Sequence, residues 1–229
     1  MSPPSDSRFN TKSLSGRGVI FPALFLLCMS APLQSQKLPV SERSRSAAER
    51  VREDLSQALR ENGMRYGNPV FIRILKEEAE MELYVEEVGK KTFKLFRTYR
   101  IAAMSGQLGP KEREGDLQAP EGFYYVSPRQ MNPYSRFHLS FNLGYPNAYD
   151  RSHGRTGSHL MVHGNRVSIG CFAMTDPKIE EIYTLCHAAL ANGQRFFRIQ
   201  SACFADFSGP MPTNTFQESS FPLFKSKSE

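Results

Sequence analysis

Residues 158–176 read SHLMVHGNRVSIGCFAMTD, and this stretch is the most informative part of the chain. The apolar residues 160–162 predict a strand that ends at His163, and Gly170 predicts a turn directly before Cys171. The histidine and the cysteine are eight residues apart. We expect them to meet across a short, hairpin-like connection.

Cys171 and His163 are the residue types that carry out nucleophilic acyl transfer. An imidazole within hydrogen-bond reach of a thiol lowers the thiol pKa and later returns a proton to the leaving amine. Gly170 removes a Cβ that would obstruct a substrate carbonyl, and the turn that contains Ser168 exposes backbone N–H groups for an oxyanion. We therefore predict Cys171 as nucleophile and His163 as base. The alternative for His163 is a structural histidine at a strand end.

Four further residues are candidates for orienting or substrate-binding roles. Asn165 could orient the imidazole, although a backbone carbonyl does this equally well. In the mixed aromatic and charged segment 145–154, Tyr149 could line a substrate groove, while Arg151 and His153 could bind a carboxylate. The alternative for this segment is an ordinary surface loop.

A zinc site is the competing interpretation of the same region, because His153, His159, His163 and Cys171 are all ligand types. On an extended strand His159 and His163 share a face, but they lie roughly 13 Å apart at about 3.3 Å per residue. That separation is too large for one ion. The sequence therefore favours thiol chemistry, and we expect no metal.

Short β-rich runs dominate the chain after Pro69. The predicted strands are residues 70–75, 81–88, 91–101, 122–126, 137–143 and 195–200. Residues 106–120 combine glycine, proline and charges, which predicts an exposed loop. These runs predict a mostly β fold with flanking helices.

Two segments have helical periodicity instead. Residues 41–63 carry apolar side chains at helical spacing and end at Asn62-Gly63, which predicts an amphipathic helix packed against the domain. Residues 176–192 also carry apolar side chains at helical spacing, which predicts a second helix. We expect Asp176 as its N-cap and Pro177 at its first helical position.

The N-terminal residues have the layout of a signal peptide. Arg8, Lys12 and Arg17 precede an apolar run at 19–27, and small residues follow it. The run is shorter than the about 20 residues of a membrane span. We expect residues 1–35 to be a signal peptide and the protein to be periplasmic. An uncleaved anchor and a lipoprotein joined through Cys28 are the alternatives.

The rest of the chain then divides into a helical extension at 36–66, a catalytic domain at 67–200 and an irregular tail at 201–229. Removal of the signal peptide leaves Cys171, Cys186 and Cys203, an odd number, so at least one thiol is unpaired.

Composition excludes several other classes. The formal net charge of +6 would suit a polyanion. The sequence, however, contains no RNA-binding aromatic signature, zinc-finger spacing or Gly-rich phosphate loop. We expect no nucleic-acid partner and no cofactor.

The pattern His163-Gly164 followed by Ser168-Ile169-Gly170-Cys171 resembles the L,D-transpeptidase catalytic domain of the YkuD type. The segments 105–111, 120–124, 144–154 and 161–176 are similar, in their order, to the YafK-like subgroup. The resemblance covers roughly residues 67–200. It implies a β-sandwich-type catalytic domain in which the cysteine takes an acyl group from the diaminopimelate of a peptidoglycan stem peptide, as a thioester.

The resemblance implies two outcomes for that thioester. Transfer to an amine makes an L,D cross-link, and transfer to water is hydrolysis. The YafK-like subgroup is associated with hydrolysis of the link between peptidoglycan and an outer-membrane lipoprotein. Ile169 replaces the usual turn histidine, and Ala173 stands where arginine or asparagine is frequent. These departures leave a non-catalytic peptidoglycan-binding module as the alternative.

Overall fold

Residues 37–203 are the part of the chain that the structure, a computed structural model, describes. Within this range the α-helices are α1 Glu42–Glu61, α2 Ala148–Ser152 and α3 Asp176–Ala191. The strands are β1 Val70–Leu75, β2 Glu80–Glu86, β3 Phe93–Arg100, β4 Gly122–Val126, β5 Met131–Asn132, β6 Ser140–Asn142, β7 Met161–His163, β8 Phe172–Ala173 and β9 Phe197–Ala202. A 3₁₀ turn covers Pro128–Gln130. The predicted signal peptide at 1–35 and the tail beyond residue 203 lie outside the described residues.

The larger sheet has five strands in the order β3-β2-β1-β9-β4. Its central strand β1 reads VFIRIL and is buried at five of six positions, as a strand covered on both faces must be. β1 pairs antiparallel with β2 and parallel with β9. The last strand therefore inserts between β1 and β4.

The predicted strands at 70–75 and 122–126 are confirmed residue for residue. The strand predicted at 137–143 is shorter, since only Ser140–Asn142 pair with neighbours. The last strand runs to Ala202 rather than to residue 200, because β1 continues to pair with it as far as Leu75. Residues 201 and 202, which the prediction placed in the irregular tail, therefore belong to the larger sheet.

The smaller sheet has the order β5-β6-β7-β8 and contains the His163 and Cys171 region. β7 and β8 pair parallel, with Val162 opposite Phe172 and His163 opposite Ala173. The predicted hairpin-like connection is therefore wrong. A hairpin would reverse the chain direction, whereas the loop between the two strands returns the chain to the same end of the sheet before β8 begins.

One apolar core joins the two sheets. The ring of Phe141 from β6 lies edge-on to that of Phe197 from β9, with centroids 5.3 Å apart. Ile72, Val162 and Phe172 belong to the same buried cluster. The fold is thus mostly β with flanking helices and two packed sheets, as predicted.

The helix α1 is confirmed and packs on α3. Ser41 caps α1, because its side chain accepts the backbone N–H of Ser44, and Ala47, Leu55 and Leu59 form the buried face. No helix within residues 37–203 is both long and apolar enough to cross a membrane.

The helix α3 begins differently from the prediction. Thr175, not Asp176, occupies the N-cap position, and Asp176 is the first helical residue. The Asp176 carboxylate instead accepts the backbone N–H of Asn165 at 2.7 Å. A contact with the loop after His163 thus replaces the expected cap.

The segment 106–120 is not a wholly exposed loop, which corrects the prediction. It has no helix or strand, but Lys111, Ala119 and Pro120 are buried. The segment folds back on itself, since the Ala119 N–H donates to the Ser105 carbonyl at 3.1 Å. Gln118 of this segment lies against Gly170, the residue before Cys171.

Candidate active site

Cys171 is the residue directly before β8, and 8% of its surface is exposed. The thiol donates to the carbonyl oxygen of His159, with the sulfur 3.7 Å away. Burial raises the pKa of the thiol, while the backbone N–H of Met161 and the charge of Lys111 act in the opposite direction. The thiol is therefore protonated at neutral pH.

His163 ends β7 and is almost fully buried. Its ring packs on that of Phe137, with centroids 4.6 Å apart. Nδ1 lies 2.5 Å from the carbonyl oxygen of Gly164, and this contact assigns the ring proton to Nδ1. Burial lowers the pKa of the imidazole, against the opposing effect of the Gly164 carbonyl. The neutral ring consequently keeps the Nε2 lone pair as a proton acceptor.

The strand register relates the two side chains. If the pairing of His163 with Ala173 is continued back along β8, Cys171 lies opposite Met161, on the same face as His163. Strand spacing and rise then separate the Cα atoms of His163 and Cys171 by about 8 Å, within the combined reach of an imidazole and a thiol. Among residues 37–203, no hydrogen bond joins the two side chains in the structure.

Two glycines shape the turn between these residues. At Gly164 a Cβ would lie 2.6 Å from Oδ1 of Asp176 and 2.7 Å from the carbonyl oxygen of Phe137. Gly170 has a φ of +113°, and a Cβ there would be 3.3 Å from the Gln118 carbonyl oxygen. Both positions require glycine, the first for close approach and the second for its backbone conformation.

Ser168 and Asn165 stabilise the turn and do not touch the imidazole. The Ser168 hydroxyl donates to the Cys171 carbonyl at 2.6 Å. Asn165 adopts a φ of +64°, and its side-chain oxygen accepts the Arg166 N–H. The Gly164 carbonyl, and not Asn165, makes the contact that orients the imidazole of His163. No described interaction tests an oxyanion role for Gly170 or Ser168.

The segment around Tyr149 forms the short helix α2 rather than a loop. Tyr149 is half exposed and packs against the His153 ring, with centroids 4.0 Å apart. Arg151 donates to the Pro146 carbonyl. These contacts hold the three candidates on the surface of α2, and their substrate roles stay predictions.

The histidines of this region do not assemble a metal centre. His159 has a φ of +55° and precedes β7, so the extended strand assumed for His159 and His163 is wrong. Within residues 37–203, no group of three or more His, Cys, Asp or Glu side chains is placed to hold an ion.

The other cysteines of the described residues are also free thiols. Cys186 is fully buried in α3, and burial raises the pKa of its thiol. The thiol of Cys203 donates to Glu121 Oε2 at 2.8 Å. In the structure, therefore, Cys186 and Cys203 do not pair with each other.

Lys111, Asp116 and Gln118 also approach the turn, although the sequence patterns did not single them out. The Gln118 carbonyl lies against Gly170, and the Gln118 N–H donates to Asp116 Oδ1 at 3.0 Å. Asp116 in turn accepts from the Lys111 ammonium. A charge-rich segment is typical of solvent exposure, so its composition contained no signal of this burial.

Residues 37–203 thus contain a β domain with His163 at the end of β7 and Cys171 directly before β8. Residues 70–193 match the model of the L,D-transpeptidase catalytic domain, YkuD. The match covers more than half of the chain, and the chain belongs to this family.

Among individual proteins, the chain is similar to "Putative L,D-transpeptidase YafK" of Escherichia coli K12 and of Escherichia coli O157:H7. Each is 50% identical over 128 residues, which are 56% of this chain and 51% of the relative. The chain therefore spans about half the length of the curated relatives it matches.

Two solved structures are more distant. The helical cell shape determining protein Pgp2 of Campylobacter jejuni is 23% identical, with a TM-score of 0.44, over 64% of this chain and 54% of that one. Bd1075 of Bdellovibrio bacteriovorus is 19% identical, with a TM-score of 0.38, over 58% of this chain and 47% of that one.

Proposed function

We propose that this chain is a peptidoglycan-modifying enzyme that transfers acyl groups of diaminopimelate-containing stem peptides through a thioester on Cys171. Membership of the L,D-transpeptidase family and 50% identity to YafK support the substrate class. The observation that carries the chemistry is the neutral His163 ring, whose Nδ1 proton is held by the Gly164 carbonyl and whose Nε2 is left to accept a proton.

In the proposed reaction the Cys171 sulfur attacks the peptide carbonyl carbon while Nε2 of His163 takes the thiol proton. The tetrahedral intermediate collapses, the C–N bond breaks and the imidazolium protonates the leaving amine. Water or an acceptor amine then attacks the thioester and gives its proton to His163. The thiolate leaves, takes that proton back and regenerates the thiol.

The thiol must first turn from the His159 carbonyl towards the imidazole. Rotation about one side-chain bond moves the sulfur between staggered positions. Catalytic hydrogen bonds often tighten only when substrate binds. Because both the thiol and the imidazole are neutral at pH 7, His163 acts as a general base rather than as half of a standing ion pair.

Two reactions fit this chemistry, namely hydrolysis of the bond between peptidoglycan and an outer-membrane lipoprotein, and formation of L,D cross-links. Of these two reactions we propose hydrolysis, because the chain is similar to YafK and because Ile169 replaces the turn histidine. The acceptor, water or amine, decides between them.

The test is incubation of lipoprotein-bearing sacculi with the protein, followed by mass spectrometry of the muropeptides. Released lipoprotein identifies hydrolysis, and new diaminopimelate–diaminopimelate bonds identify cross-linking. Cys171→Ala should abolish either product, whereas Cys203→Ser, at a thiol outside the site, should retain it. Absence of both products with the unaltered protein contradicts the enzyme proposal.

A non-catalytic peptidoglycan-binding module is the second candidate. The observation that favours it is the buried, protonated thiol, which hydrogen-bonds to His159 rather than to His163. Such a module would bind sacculi without changing them. It would also fail to form a covalent adduct between Cys171 and a carbapenem-type acylating probe.

We also propose that residues 1–35 direct the chain to the periplasm, where peptidoglycan lies. The basic residues and the short apolar run of this segment support export. Cell fractionation with N-terminal sequencing of the mature protein tests this. Recovery of the intact chain in the cytoplasm alone contradicts it.

A further inference from the structure

Lys111 carries a buried positive charge whose position is fixed on several sides. Only 5% of its side chain is exposed. The ammonium donates to the Asp116 carboxylate and, at 2.8 Å, to the Arg113 carbonyl. The backbone carbonyl of Lys111 accepts the Tyr145 hydroxyl at 3.0 Å. A flexible surface lysine has no such set of contacts.

This charge lies close to the Cys171 sulfur. A Cβ at Gly157 would be 2.7 Å from Cε of Lys111, and two residues later the His159 carbonyl accepts the Cys171 thiol. This short segment brings the Lys111 side chain and the Cys171 sulfur to the same part of the site, and the charge of Lys111 acts to lower the pKa of the thiol.

A second series of contacts connects the Lys111 ammonium to Cys171. Asp116, which holds the ammonium, also accepts the N–H of Gln118, and the Gln118 carbonyl lies against Gly170. Gly170 directly precedes Cys171. The charged pair and the nucleophile are therefore parts of one packed unit.

We propose that Lys111 is a positioning residue for acyl transfer, because its buried charge stabilises the thiolate of Cys171. Asp116 holds the ammonium in place, and its negative charge reduces the effect of Lys111 on the thiolate. The inference rests on the proposed role of Cys171 as nucleophile. It adds a residue from the segment 106–120 to a site otherwise built from β7, β8 and the turn between them.

The charged and titratable groups around Cys171 come from three elements. His163 faces it from β7, Lys111 and Asp116 from the segment 106–120, and Asp176 reaches the turn from the start of α3. Among the buried groups Lys111 is the cation, since burial lowers the pKa of His163 and keeps its ring neutral, and His159, whose carbonyl accepts the thiol, is exposed. Loss of Lys111 therefore removes the positive charge that favours a thiolate.

The experiment measures the alkylation rate of Cys171 by iodoacetamide as a function of pH, in the full chain without substrate. Peptide mass spectrometry assigns the label to Cys171. In Lys111→Met the midpoint of the pH dependence of the alkylation rate should rise by about one pH unit, because removal of a nearby unit charge has about that effect at intermediate dielectric. At pH 7 the labelling rate should fall about tenfold. Lys111→Arg, which keeps the charge, should restore most of the rate.

Asp116→Asn provides a change of opposite sign. It removes the negative charge beside Lys111 and should lower the midpoint, whereas structural damage to the segment would not shift the two variants in opposite directions. An unchanged midpoint in Lys111→Met overturns the proposal. If Lys111→Met does not fold, an unchanged or raised midpoint in Asp116→Asn overturns it instead.

The alkylation readout is independent of turnover. A shifted midpoint in Lys111→Met, with no product from sacculi in the unaltered protein, would contradict the proposed enzyme function alone. Products from sacculi with an unshifted midpoint would contradict the role of Lys111 alone.

Discussion

The Nδ1 atom of His163 lies 2.5 Å from the carbonyl oxygen of Gly164, the next residue in the chain. This contact selects the tautomer with the proton on Nδ1 and leaves Nε2 as the proton acceptor. It depends on the close packing of Gly164, where a Cβ would meet both Asp176 and Phe137. The tautomer of the imidazole is therefore selected by a backbone carbonyl and not by a hydrogen bond to a second side chain.

The tautomer predicts the pH dependence of the reaction. Because burial lowers the pKa of His163 below its ordinary value of 6.5, kcat/KM should be constant near pH 7 and fall only at lower pH, as the ring is protonated. His163→Gln should reduce kcat by about 10²- to 10⁴-fold and abolish this acid limb. The measurement is the rate of product release from sacculi between pH 5 and 8. His187→Gln, on α3, is the matched control and should retain the limb.

Substitution of Gly164 tests the close approach. Its φ is not in the left-handed region, so Gly164→Ala introduces a clash without backbone strain, and should cost about 1–3 kcal/mol of unfolding free energy. The clash should also displace His163 and lower kcat. Urea denaturation measures the change in unfolding free energy, and the rate of product release from sacculi measures the change in kcat.

Gly89→Ala is the control for that experiment. Gly89 has a φ of +75° and nothing within 4 Å of an added Cβ, so alanine there costs about 1–2 kcal/mol of backbone strain. It should leave kcat unchanged. Equal losses of kcat in the two variants would contradict the role of Gly164 in placing the base.

Stability should fall in mild acid. Burial lowers the pKa of both His163 and His187 below 6.5 in the folded chain, so between that value and the folded pKa the unfolded chain binds more protons. The contribution of these two histidines to the free energy of unfolding is therefore complete above pH 6.5 and decreases as the pH falls. The expected loss is about 1 kcal/mol per group per pH unit within this window.

Urea denaturation at pH 7.5 and 5.5 checks this prediction. His187→Gln should reduce the difference in unfolding free energy between the two pH values, because one of the two buried imidazoles is then absent. A difference as large as that of the unaltered protein would exclude His187 as its source.

Glu180 joins α1 to α3 and to the chain before β6. Its Oε1 lies 2.5 Å from Nη2 of Arg50 and 2.7 Å from Nε2 of His138. Burial acts to raise the pKa of Glu180, but Arg50 and His138 outweigh it and lower the pKa. Glu180→Gln should destabilise the protein by about 1 kcal/mol, a modest value because Arg50 is half exposed.

The matched control is Glu42→Gln, which breaks the pair with Arg45. Both side chains of that pair are exposed, so the change in unfolding free energy should stay within about 0.5 kcal/mol. Thermal or urea denaturation measures both variants. If the two losses are equal, Glu180 does not stabilise the packing of α1 on α3.

Much of the local structure was predictable because it depends on short-range periodicity. The apolar runs at 70–75 and 122–126 predicted β1 and β4 without error, and helical spacing predicted α1 and α3 to within one or two residues. The motif also predicted that His163 ends a strand and that Cys171 follows a turn. Their catalytic roles stay predictions.

The sequence by itself thus determined which residues form strands and helices, the class of fold, and the pair of residues worth testing, because each depends on side chains close together in the chain. Only the tertiary structure decided the parallel pairing of β7 with β8, the burial of Lys111 with Asp116, and the contact between Nδ1 of His163 and Gly164. Each pair of groups is close in the chain, but its arrangement depends on other segments that pack against it, such as Tyr145 on Lys111 and Phe137 on Gly164. Local periodicity predicts that a segment is extended or helical, but it does not specify which neighbour the segment will meet.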